Sequence, residues 1–147
     1  MATSSVSALD QDTYQLVGTN TPTSGTTSTF SSLSGYKKYI LVAEDVTGSS
    51  AELRVTFNGS STGYVGIIVA TANTKTFVYL SVGSTNSSAY IIIDNVNNGG
   101  PKIIKGIEHN AYVTEGMWNN TADITSITVT RTSAYTGGTL KLYGIAG

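Results

Sequence analysis

Cysteine is absent from this 147-residue chain, which excludes disulfides, thiolate metal centres and cysteine nucleophiles together and leaves packing and association as sources of stability. Histidine and tryptophan occur once each and proline twice. One histidine without cysteine falls short of the three or four ligands of a zinc site. Charge is scarce as well, with charged residues at 12% and a formal net charge of −1. The eight basic residues are scattered and only Lys37-Lys38 are adjacent, so there is no stripe to neutralise a run of phosphates, and nucleic acid is not an expected partner. Long apolar runs are missing too. No stretch approaches the roughly 20 residues of a membrane-spanning helix, and residues 1–6 have neither the basic nor the apolar region of a secretory signal. These absences predict a protein made in the cytoplasm with no membrane partner, in which the sequons at Asn58, Asn86 and Asn119 carry no glycosylation meaning.

Thr, Ser, Gly and Asn contribute 67 of the residues, a turn-rich, β-compatible composition. Disordered chains combine high charge with few aromatic and β-branched residues; here nine Tyr stand among many Val and Ile, which predicts folding. The length fits one domain. Residues 1–12 lack pattern apart from Val6 and Leu9 and read as an N-terminal arm, with the domain over 13–147. Tyr14 opens a short strand at 14–17, and 18–29 reads as a loop of turn formers with no core segment in it. Residues 36–45 are the strongest strand. Tyr39, Leu41 and Ala43 share one face and Ile40 and Val42 the other, the mark of a central strand. A turn is expected at 47–50, after which Leu53, Val55 and Phe57 alternate with polar residues until Asn58-Gly59 breaks the strand. Further strands are expected at 64–70, 76–82 and 89–96, and at 102–113 either with a bulge at Gly106 or as two short strands. The last two lie at 127–131 and, after a turn at 135–138, at 138–145, where the final strand closes the domain. Eight to ten strands with no helical period and no fixed repeat predict an all-β fold, an antiparallel two-sheet sandwich of jelly-roll-like form.

Catalytic chemistry finds little footing. His109 stands beside Glu108, but no serine elbow accompanies it, so it reads as an incidental strand histidine. The acids Glu44, Asp45, Glu52, Asp94, Glu108, Glu115 and Asp123 offer no selected pair for glycoside hydrolysis. The oxygen-rich segments 10–12 and 94–98 lack the pattern of a calcium loop and read as Asx-turns. Neither catalytic residues, metal nor cofactor is therefore expected. The aromatic set is more suggestive, because tyrosine buries a ring while leaving its hydroxyl wet, which suits subunit interfaces and sugar stacking. Trp118, in a loop, is either a packed lid over the sandwich end or an interface anchor.

Three segments in order, residues 30–40 (FSSLSGYKKYI), 53–59 (LRVTFNG) and 138–144 (GTLKLYG), resemble a group of bacteriophage virion proteins built on a small β-sandwich. Ser60 stands where that pattern often has Asp, so no role of that acid carries over. The resemblance implies Phe57 as a core plug, Asn58-Gly59 as a turn at positive φ, and Tyr143 as an inward or interface aromatic. It also implies a structural protein of the virion rather than an enzyme. In a capsid decoration or cement protein the arm with Val6 and Leu9 would lie on the major capsid protein, and the sandwich would cluster with itself as a trimer. Such a fold also serves in tail fibres and tips, where loops meet a host-surface glycan; the small single domain without a coiled-coil shaft favours decoration. A carbohydrate-binding module is the alternative from another class, with Tyr64, Tyr79 and Tyr90 as its stacking row.

Overall fold

The computed structural model describes residues 13–68 and 71–146, so the expected arm with Val6 and Leu9 lies outside the described residues. Ten antiparallel strands follow one another: β1 (Tyr14–Asn20), β2 (Thr27–Phe30), β3 (Tyr36–Phe57), β4 (Tyr64–Ile68), β5 (Thr71–Lys75), β6 (Val78–Asp94), β7 (Lys102–Glu108), β8 (Val113–Trp118), β9 (Ile127–Arg131) and β10 (Tyr135–Ala146). The larger layer runs β1-β10-β3-β6-β7-β8-β4-β5, and β9 joins β3 to β2. This is the all-β, antiparallel sandwich expected, and its sheet does not close.

Two long strands make the two layers. The first half of β3 pairs with β10 and with the second half of β6; its second half pairs with β9 and with the first half of β6. Both strands therefore bend from one layer into the other, as corners in sandwiches do at bulges. Burial follows the bend. Tyr39, Leu41 and Ala43 point inward, the phase slips by one at Val46, and Ala51, Leu53, Val55 and Phe57 restore it. Asp45, at positive φ, supplies the first slip, and the β3–β6 register shifts between Ala43 and Val46 and again between Thr47 and Ala51.

The bends correct the sequence reading. The expected turn at 47–50 is continuous strand, the strands expected at 76–82 and 89–96 are the single strand β6, and the turn at 135–138 belongs to β10. Polar turn-formers at these places mark corners, not chain reversals. Inside the expected loop 18–29 lies the start of β2, whose Ser28 and Phe30 are buried. Residues 102–113 divide into β7, a turn and the start of β8; Gly106 sits in regular register opposite Ile91 and is no bulge. A Cβ there would run into the Tyr90 carbonyl and Ile91, so glycine serves close strand approach. The final strand, β10, lies between β1 and β3.

Arg131 holds the corner. Its side chain is buried, and its guanidinium donates to the Ser49 carbonyl at 2.7 Å, the Ser84 carbonyl at 3.1 Å, the Ala134 carbonyl at 3.2 Å and the Ser133 hydroxyl. One side chain thus donates to carbonyls of β3, of β6 and of the β9–β10 turn and ties the three together. Burial lowers its pKa below the usual arginine value, against a smaller opposing effect of Tyr135. Gly48 is required beside it, because a Cβ would overlap the guanidinium. Replacing Arg131 with Met should cost on the order of 3 kcal/mol or more by leaving several buried acceptors unpaired, and Gly48→Ala should destabilise by displacing the same group, both read from chemical denaturation midpoints.

Three core tyrosines give a second test. Tyr39, Tyr64 and Tyr135 are at most 1% exposed, and desolvation pushes each pKa up to about 12. The folded pKa lies above the unfolded one of about 10, so their stabilising contribution is intact below pH ~10 and is lost as pH rises through about 12. Phenolate absorbance should show these three rings ionising together with a cooperative alkaline unfolding.

Candidate functional site

The outer face of the larger layer is the surface that departs most from expectation for a sheet with one face on a core, where outward residues are polar. Directly paired residues share a face, so the register strings outward side chains into a row across six strands: Leu16, Tyr143, Ile40, Ile92, Lys105 and Glu115. Beside it on one flank stand Tyr90, Ile107 and Val113, and on the other Ile103 and Met117. Tyr90, Ile103, Ile107 and Val113 are 37–54% exposed, enough to make a contiguous apolar area. Two shallow grooves run over it. One of about 290 Å³ is lined by Tyr90, Ile107 and Val113, the other of about 320 Å³ by Val65, Ile103 and Met117, and Lys105 and Glu115 form the wall common to both.

Charges elsewhere on this face are neutralised within the chain. Lys38 meets Asp94 at 2.9 Å, on strands β3 and β6, and Lys141 meets Glu44 at 2.7 Å, on β10 and β3. The hydrogen bond to Glu44 raises the pKa of Lys141.

At one end of the sandwich, Asn58 and Gly59 both have positive φ and form a two-residue turn closed by Ser60 N–H to the Phe57 carbonyl at 2.9 Å. The Asn58 side chain reaches across to the loop before β9. Its Oδ1 accepts from Thr125 N–H (2.8 Å), Thr125 Oγ1 (3.2 Å) and Ser126 N–H (3.1 Å), and its Nδ2 donates to the Asp123 carbonyl (2.7 Å). Behind the turn, Phe57, Tyr64 and Trp118 pack with ring centroids 5.4–6.0 Å apart, and Trp118 Nε1 donates to the Thr62 carbonyl at 3.1 Å. Trp118 ends strand β8 instead of lying in a loop, and at 1% exposure it is packing and not an interface anchor.

The expected interaction residues therefore separate. Tyr14 is exposed on the edge strand β1 and Tyr143 half-buried on the outer face, whereas Phe57, Asn58, Gly59 and Trp118 belong to the sandwich end. Val6 and Leu9 fall outside the described residues. The tyrosine row expected of a carbohydrate-binding module does not form. Tyr64 is fully buried, and the bend in β6 puts Tyr79 and Tyr90 on the outer faces of different layers.

His109 Nε2 lies 3.4 Å from Ser84 Oγ, but Glu108 turns inward and accepts from Val82 N–H at 2.8 Å instead of orienting the ring. Among the described residues no group of three His, Cys, Asp or Glu side chains could hold a metal ion. Asp94 is ion-paired, while Asn95 and Asn98 bond within their own loop at 2.9 Å, an Asx-type arrangement. Sequence reasoning missed the outer face because outward Ile and Val in β7 and β8 read simply as strand propensity; the signal available was apolar residues at Ile103 and Ile107 in phase with exposed Lys105.

No family model matches the chain, and no curated protein matches it either. Among solved structures, it is similar to part of exo-inulinase from Aspergillus awamori, with a TM-score of 0.48 and 12% identity. That likeness covers 92% of this chain and 29% of the enzyme's, so the chain spans under a third of that protein's length and the comparison carries no functional argument.

Asn58→Ala should cost about 2–3 kcal/mol through four lost hydrogen bonds. Asn58→Gly, which loses the same bonds but keeps the positive φ without a Cβ, should cost about 1 kcal/mol less, as measured by urea unfolding.

Proposed function

We propose that this protein is a structural component of a bacteriophage virion, of the capsid decoration type, binding the major capsid protein through residues 1–12 and associating with itself. What most supports this is that the three segments resembling phage virion sandwiches form one contiguous frame. Residues 36–40 and 53–57 lie in the two halves of β3, and 138–144 pair along the first half, with Tyr143 opposite Ile40 and Gly144 opposite Tyr39. Gly144 and Tyr36 are physically linked, because a Cβ at Gly144 would enter the Tyr36 ring. Phe30 and Leu33, from the first segment, are buried against the same core. The apolar outer face suits a protein that works in contact with others.

Immunogold or cryo-EM localisation on intact virions from the source should find regular density over the head at many copies. A few copies at the tail would shift the role to host-surface adhesion, and no virion signal would overturn the proposal. Removing residues 1–12 should leave a folded sandwich with native far-ultraviolet dichroism that no longer binds coat; retained binding would take the arm out of the scheme.

A further inference from the structure

Outward residues of β7 and β8 stand opposite one another in three pairs: Ile107 with Val113, Lys105 with Glu115, and Ile103 with Met117. Lys105 and Glu115 are both exposed and neither has an ion-pair partner among the described residues, in contrast to the charges at Lys38 and Lys141. A cation and an anion thus sit side by side at the centre of an apolar surface.

We propose that this face docks a second copy of the same chain about a two-fold axis that runs along the strands, between β7 and β8, in the plane of contact. One flat surface meeting its own copy makes an isologous contact, and its two-fold axis lies in the contact plane. An axis across the strands would set Lys105 on Lys105 and Glu115 on Glu115. Along the strands, it exchanges β7 with β8. Lys105 then faces Glu115 of the second copy and Glu115 faces its Lys105, while Ile107 meets Val113 and Ile103 meets Met117. Each residue's partner in the other copy is the type it already neighbours in its own sheet, so all three pairs are self-complementary. Charge complementarity selects this axis and a second copy as occupant, since a face carrying one charge of each sign has no preference for a wholly basic or wholly acidic partner.

Strands spaced about 4.8 Å and same-face residues about 6.8 Å apart make the β6-β7-β8-β4 face roughly 20 Å on a side. That is about 400 Å² on each copy, below the roughly 1,200 Å² in total at which stable interfaces begin, so a weak, reversible dimer with a Kd of about 100 μM or above is expected, not an obligate one. The pairing is two-fold; a three-fold cluster would need other surfaces. It stands on the sheet geometry and does not depend on the virion role.

Sedimentation equilibrium of the full chain tests it. Wild type should pass from monomer to dimer with concentration, and Lys105→Glu alone or Glu115→Lys alone should weaken the dimer at least ~10-fold. An equimolar mixture of the two variants should dimerise again, because one face has become acidic and the other basic. Charges paired only within each chain would give no such recovery. Val113→Lys, at the most exposed of these side chains, should also yield monomer with unchanged circular dichroism and provides the check if a charge variant misfolds. A wild type monomeric to about 1 mM, where even a weak contact would register, would overturn the proposal and leave the face to a different partner. So would a trimer, single variants that dimerise like wild type, or a mixture that fails to recover.

Discussion

The buried guanidinium of Arg131 is the interaction on which the two-layer arrangement depends. A strand that bends from one layer to another must break its ladder at the bend, and the carbonyls exposed there need donors. In this chain two adjacent strands bend together, β3 around Gly48 and β6 around Gly83, so their carbonyls converge. Five N–H groups in one plane can serve several such acceptors at once, which neither lysine nor a neutral amide does. Desolvating the cation is costly, and hydrogen bonds to Ser49, Ser84, Ala134 and Ser133 offset that cost by replacing its water shell. A buried Ser81–Ser87 hydrogen bond at 3.1 Å ties the two limbs of β6 together in the same region. The corner is therefore polar and bonded largely from within through the two terminal nitrogens of Arg131, while its buried Nε has no hydrogen-bond partner among the described residues.

At the far end of β3 a different device does the equivalent work. Asn58 turns the chain and clamps the loop before β9 with one side chain, while the Tyr64 hydroxyl accepts from Phe57 N–H at 2.8 Å and donates to the Ser60 carbonyl at 3.1 Å. Because Trp118 and Tyr64 stack behind this turn, strands β8 and β4 are anchored there by their buried ends. With their inward sides so fixed, the outward side chains of β7 and β8 are held on a firm backing, a condition for any specific contact across that face.

Much of the fold was legible in the sequence. Alternation at Leu53, Val55 and Phe57 marked the inward face of the second half of β3, Tyr39, Leu41 and Ala43 were grouped on one face of a central strand without showing which side was inward, and Asn58-Gly59 marked its turn. What misled was composition at the corners. Gly48-Ser49-Ser50 and the run 83–88 have the residues of a chain reversal, yet their backbone stays extended because a donor from β9, distant in sequence, completes their bonding. Local propensity cannot register a partner 82 residues away. Trp118 failed as a loop residue for a similar reason, since its place in β8 is set by pairing with Lys102 and Tyr64, both remote in sequence. The outer face was hidden because the sequence shows which residues alternate, but only cross-strand register shows which of them become neighbours.

The edges of the layers bear on where association can occur. Strand edges present unpaired backbone and invite open-ended growth. On β1 the ladder is interrupted by a register shift between Leu16 and Gly18, where the absence of a side chain lets the Phe30 ring approach. On the first half of β6 the Tyr79 carbonyl is taken by the Thr114 hydroxyl at 3.1 Å. A head-to-tail contact between different edges would leave an edge free on each copy and propagate, whereas a contact between identical faces consumes the same surface on both copies and stops at two. A sandwich that interrupts its edges and leaves apolar residues on one sheet face therefore favours a closed face-to-face contact over open-ended growth.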